Sequence, residues 1–169
     1  MAILELVKAP DPRLKLASAP VGDIDSKLCR FMDDMLETMI DAKGIGLAAI
    51  QVGVPKRVAV IDLDPRGPKS SPLYLVNPRI VEASEEQTTT YEGCLSVPDI
   101  WEDVKRPARL TVAYTDEKGR QQTVKAEGLL AICLQHEIDH INGLIFLDHV
   151  SRLKRSIALR KAAKQKRKE

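Results

Sequence analysis

Two histidines flank a glutamate in Gln135-His136-Glu137-Ile138-Asp139-His140. On a helix their spacing of four puts both imidazoles on one face, about 6 Å apart along the axis, where both can reach a single ion. Glu137, beside the first histidine, can lean over the open side of that ion and take a proton from water there, as hydrolytic zinc sites require. A third protein ligand is needed. In the peptidase spacing His-Glu-x-x-His-x-x-Gly-x-x-His, this chain keeps Gly143 but has Phe146 where the last histidine belongs. Cys133 lies about 10 Å along the helix axis from His140 and reads as a wall of the site. His149, beyond a helix stop at Gly143 and an extended Leu144–Leu147, reads as a surface histidine. Cys94 stands in Glu92-Gly93-Cys94-Leu95-Ser96-Val97-Pro98, at the end of a strand, where a glycine lets backbone and thiol approach another element closely. Cys94 is the expected third ligand. Glu92, Asp139 and Arg106 are charged neighbours whose commoner fate is a solvated surface, and they are left outside the catalytic set.

These groups must be carried by regular elements. Between about Ser26 and Lys43, Leu28, Phe31, Met32, Met35, Leu36, Met39 and Ile40 recur at helical spacing, a packing stripe ended by Gly44. From Arg57 to Ala126 the pattern shortens to β-type runs at 58–61, 73–76, 79–81, 87–91, 110–114 and 121–125. Asp116-Glu117-Lys118-Gly119 joins the last two as a hairpin. The histidines fall on a helix from about Gly128 to Gly143 that is apolar on several sides and therefore central. A last helix follows Ser151, a good N-cap. The expected fold class is α+β: antiparallel strands around a central metal-binding helix, with an N-terminal amphipathic helix and a C-terminal basic helix.

Composition narrows the function classes. The 169 residues are 44% apolar and 30% charged, the balance of an ordinary globular chain, and imply one domain, 1–169, with 151–169 as a basic appendage. No apolar run approaches the roughly 20 residues of a membrane helix, and the first residues carry no secretory signal, so a cytoplasmic location without membrane partners is expected. Three cysteines, Cys29, Cys94 and Cys133, argue against a disulfide framework. The net charge of +2 demands no polyanionic partner such as DNA, although the charges of the tail are almost all basic.

Gly44-Ile45-Gly46-Leu47-Ala48-Ala49-Ile50-Gln51, Glu92-Gly93-Cys94-Leu95-Ser96 and Gln135-His136-Glu137-Ile138-Asp139-His140-Ile141-Asn142-Gly143 together resemble, in order, the three signature motifs of the peptide deformylases, and Pro10-Asp11-Pro12-Arg13-Leu14 looks like that family's N-terminus. Ile141, where leucine is commoner, is a minor departure. The basic terminal helix looks like the bacterial form. The resemblance implies removal of the formyl group from the formylmethionine of newly made polypeptides, releasing formate. It implies one divalent ion, with Fe(II) favoured and Zn(II), Ni(II) or Co(II) able to substitute. It assigns oxyanion donation to the Gln51 amide and the Leu95 N–H, and pairing with an extended substrate to the Gly46 backbone. Ile45, Leu129, Ile132 and Cys133 become the pocket for the methionine side chain. On such an enzyme the basic helix suggests docking to the ribosome.

Two other readings stand beside it. One is a His-Glu-x-x-His metallopeptidase cutting internal bonds, opposed by Phe146 and by a cysteine ligand. The other is a nucleic-acid module with a closed structural metal, suggested by Arg152, Lys154, Arg155, Arg160, Lys161, Lys164, Lys166, Arg167 and Lys168.

Overall fold

The computed structural model describes residues Met1–Glu169. Helix α1, Ser26–Asp41, starts where the Asp25 carboxylate accepts the Leu28 N–H at 2.8 Å. Its Met32, Met35 and Met39 are fully buried, so the methionine stripe is core. Strand β1, Gly46–Ala48, follows and pairs antiparallel with β2, Val58–Ile61. Strand β3 runs over Leu73–Ala83, β4 over Gln87–Cys94 and β5 over Val97–Pro107. The hairpin of β6, Arg109–Thr115, and β7, Gln121–Glu127, leads into helix α2, Gly128–Ile141. Helix α3, Arg152–Arg167, ends the chain, capped by the Ser151 hydroxyl.

All strand pairs are antiparallel. One sheet has the order β1-β2-β3-β6-β7, and β4 and β5 form a separate two-stranded sheet. Helix α2 packs across the larger sheet with Ala131, Leu134, Ile138 and Ile141 in the same apolar cluster as Ala59, Ile61, Leu75 and Val112. Each of the larger side chains, Leu134, Ile138 and Ile141 on the helix, contributes about 1.5–3 kcal/mol by leaving water, which anchors the helix that carries the histidines. A second cluster joins Val97, Ile100 and Val104 of β5 to Phe146, Leu147 and, on α3, Ala158 and Ala162.

Three local departures from the sequence reading have physical causes. The runs at 73–76 and 79–81 are one strand, because a bulge sits at Asn77, with φ of 51° and both side-chain ends bonded to the Val21 backbone. Strand β5 escapes a period-two reading because Asp99, at φ 63°, shifts the inward phase between Val97 and Ile100, and because the inward residue near its end is Arg106. The segment expected to be extended at Leu144–Leu147 instead turns into a 3-10 helix, Phe146–His149, which buries Phe146 and Leu147.

Candidate metal centre

The turn between β4 and β5 is only Leu95-Ser96, with Cys94 opposite Val97, so the thiol stands at the tip of a tight hairpin. That tip meets the middle of α2. Cys94 Sγ lies 3.3 Å from His140 Nε2, which lies 3.3 Å from His136 Nε2. The three ligand atoms all fall within 4.8 Å of one another. Two bonds of about 2.05 Å at a tetrahedral angle separate two nitrogens by about 3.3 Å, so the imidazoles are already spaced for one ion. A donor set of two nitrogens and one sulfur would leave the fourth position of a tetrahedral ion to a ligand from outside the protein, as a catalytic site requires. Residues predicted forty-odd positions apart thus converge.

Glu137 is 4% exposed and its Oε2 has no hydrogen-bond partner. Burial raises its proton affinity, with the Cys94 charge adding to that and His136 and His140 opposing it. Its other oxygen packs on β1: a Cβ added at Gly46 would land on Oε1, with the carboxyl carbon at 3.0 Å. Only glycine lets the strand come this close to the acid. Burial pushes the Cys94 thiol up, but the two imidazoles outweigh it and bring it down to about 5, so the sulfur is a thiolate. His136 moves the other way: burial alone lowers it, but Cys94 and Glu92 hold it well above its ordinary value. Cys94 and His136 thus favour each other's charged forms, and a metal ion binding there would compete with protons for both.

Gln51, which the resemblance assigns to the site, is 1% exposed. Its Oε1 accepts the Ala48 N–H at 2.8 Å, and its Nε2 donates to Ser96 Oγ at 3.1 Å and to Cys94 Sγ at 3.6 Å. The Leu95 N–H, next to the ligand sulfur, is not among the donors of the turn and loop hydrogen bonds. Just beyond the ends of the β1–β2 ladder the pair Ile45–Asp62 is hydrogen-bonded, the Asp62 N–H donating to the Ile45 carbonyl, so by alternation the Gly46 N–H and C=O point away from β2 to the open sheet edge. Ile45 packs against the cluster that holds Cys133. Leu129, Cys133 and His136 share one face of α2; Leu129 is 54% exposed, whereas Ile132 and Cys133 are buried. Burial pushes the Cys133 thiol up to about 12, and its sulfur stands outside the group formed by Cys94, His136 and His140.

The charged neighbours are not solvated, which corrects the sequence reading. Arg106 and Glu92 are 3% and 4% exposed and form a bidentate pair at 2.6 and 2.9 Å. Glu92 Oε1 also accepts from His136 Nδ1 at 3.0 Å, which fixes the ring so that Nε2 faces the cluster. Arg106 Nη1 reaches Asp139 at 2.8 Å, and Asp139 in turn holds His149 Nε2 at 2.7 Å. His149 is one-third exposed, tied into this network without approaching the ligands. Burial raises Glu92, but its bonds to His136 and Arg106 hold it below the usual carboxylate range. The signal was an arginine at the penultimate position of an unrecognised strand, where a solvated charge has no reason to point inward. Phe146, in the place of a peptidase's third histidine, stacks on His136 with centroids 6.1 Å apart.

Comparison with known proteins bears directly on this geometry. The family model described as Polypeptide deformylase matches residues 3–156. The chain belongs to the polypeptide deformylase family. A peptide deformylase of Rhizobium meliloti is 54% identical, the match covering 97% of this chain and 94% of that protein, and one of Agrobacterium fabrum is 52% identical over 99% and 98%. The crystal structure of the peptide deformylase from Ehrlichia chaffeensis in complex with actinonin superposes with a TM-score of 0.93 at 43% identity, covering 99% of both chains. The plant peptide deformylase PDF1B superposes with a TM-score of 0.91 at 30% identity, covering 98% of this chain and 90% of that one. Membership carries metal-dependent removal of the N-formyl group, and the endopeptidase reading is not favoured. No helix is long and apolar enough to cross a membrane.

Proposed function

We propose that Cys94, His136 and His140 hold the deformylase ion and that Glu137 moves the proton in hydrolysis of the formyl group from N-formylmethionyl polypeptides, with release of formate. The observation that carries this reading is the meeting of three ligand atoms within 4.8 Å beside the buried, unpartnered Glu137 Oε2. When bound, a divalent ion supplies Lewis acidity to water and to the formyl oxygen.

The rest falls to the chain. Glu137 Oε2 accepts a proton from the attacking water, and burial favours holding it there until the amine nitrogen needs it to depart. The Leu95 N–H and the Gln51 amide stand beside Cys94 as donors to the oxygen that gains charge, each such donor being worth roughly 3 kcal/mol. The Gly46 N–H and C=O pair with the substrate as an added strand on the open β1 edge. Ile45, Leu129, Ile132 and Cys133 receive the methionine side chain on the α2 face. A mixed sulfur and nitrogen donor set suits Fe(II) or Zn(II), and the native ion is Fe(II), with Ni(II) and Co(II) also able to occupy the site. The reaction takes place in the cytoplasm, and α3, whose charged side chains are all basic, docks the enzyme to the ribosome.

Formate release from formyl-Met-Ala-Ser tests the proposal. Turnover of the formylated peptide only, lost in Glu137→Ala with metal content unchanged, is the expected result. Cleavage of unblocked internal bonds, or normal turnover by Glu137→Ala, would overturn it.

A further inference from the structure

The hydrogen bonds around His136 do not stop at Glu92. They continue through Arg106 and Asp139 to His149, so an unbroken chain runs from a one-third-exposed imidazole to a metal ligand. Within that chain one guanidinium serves two carboxylates. Arg106 gives Nε and Nη2 to Glu92 and Nη1 to Asp139 Oδ2. His149 Nε2 meets the same Asp139 oxygen at 2.7 Å, and because a carboxylate only accepts, that nitrogen carries the hydrogen of the bond. Burial raises the proton affinity of Asp139, but its bonds to His149 and Arg106 outweigh it and hold the carboxyl below its ordinary range.

His149 is held there by its backbone. Gly143, at φ 81°, turns the chain out of α2 against Lys15, where an added Cβ would lie 2.5 Å from the carbonyl oxygen. The 3-10 turn that follows buries Phe146 and Leu147. Asp148 fixes both ends of that turn, accepting the Ile145 N–H at 2.8 Å and pairing with Arg155 of α3. The imidazole is thereby returned to Asp139, ten residues back. With His149 in place, Asp139 has a second donor, and Arg106 keeps its bidentate grip on the carboxylate that orients His136. Without it, Asp139 depends on Arg106 alone and competes with Glu92 for the same guanidinium. We propose that His149 is a positioning residue for the metal centre: by sharing Asp139 with Arg106 it keeps Glu92 aligned on His136, and so strengthens binding of the divalent ion. This rests on the reading of Cys94, His136 and His140 as the ion's ligands.

Chelator competition for Zn(II) tests it on wild type, His149→Ala and His149→Gln, whose amide N–H can stand in for the imidazole's. His149→Ala is expected to weaken affinity about three- to ten-fold, less than loss of the direct partner Glu92, and His149→Gln to recover most of it. In a Glu92→Gln background the same His149→Ala change should have no further effect, because both act along one path. In the metal-free protein the His136 Nδ1–H held by Glu92 should give a downfield proton resonance in wild type and His149→Gln that broadens or moves upfield in His149→Ala. Unchanged affinity in His149→Ala, or a loss that adds in full to that of Glu92→Gln, would overturn the inference. So would a variant that merely melts earlier. Failure of the ligand reading shows elsewhere: Cys94→Ala would then bind Zn(II) as tightly as wild type, and the imidazole resonance alone would decide the role of His149.

Discussion

Glu92 and Glu137 are both buried carboxylates within reach of the same histidines, yet their surroundings are opposite. Glu92, on the β4–β5 side, has two contacts to Arg106 and one to His136, and is held in its charged form. Glu137, on the β1 side, keeps an oxygen without a partner, and burial favours its protonated form. On the proposed mechanism the satisfied side holds the ligands in place and the unsatisfied side is where protons move. Polar groups left unpaired in a core are expensive, so the asymmetry marks where the fold gives up stability for chemistry.

The largest expected break in that comparison is Glu137→Gln, which keeps shape and removes the proton acceptor. It should lower kcat by about 10²–10⁴-fold with one metal still bound, measured by formate release and metal analysis. On the satisfied side, Arg106→Met strands the buried Glu92 and the half-buried Asp139, and urea unfolding should show a loss of about 3–5 kcal/mol. Glu92→Gln sharpens the contrast: losing the charged partner of His136 should weaken metal affinity about 10–100-fold while much of the fold persists, measured by chelator competition.

The smallest effect is in the pH dependence of the metal-free protein, where the two acids should act with opposite sign. The proton affinity of Glu92 is depressed, so its contribution is complete above its unfolded value near 4.5 and is lost as pH falls through the lower folded value. That of Glu137 is raised, so its contribution is present below about 4.5 and is lost as pH rises through the raised value. Melting of chelator-treated protein should therefore show Glu92→Gln less stable than wild type at neutral pH and Glu137→Gln more stable. Shifts in the same direction would contradict the comparison.

Much of this was legible in the sequence where chemistry depends on local spacing. The helical repeat at His136 and His140, the glycine before Cys94 and the methionine stripe of α1 all report neighbours within one element. The Glu92–Arg106–Asp139 network was not legible, because it joins three elements and one of them, β5, hides its phase behind the turn-like backbone of Asp99. Strand β1 was missed for another reason: three residues carry no periodic signal, and its identity comes from pairing with β2. Gln51 is legible only with the family pattern, since nothing in a lone glutamine after two alanines tells of a thiolate 3.6 Å away.

X-ray absorption of the anaerobically purified protein tests the central claim most directly. The account predicts one ion per chain bound by one sulfur at about 2.3 Å, two imidazole nitrogens at about 2.0–2.1 Å and one exchangeable oxygen, with the sulfur lost in Cys94→Ala. An ion with no sulfur neighbour, or one closed by four protein ligands, would contradict it.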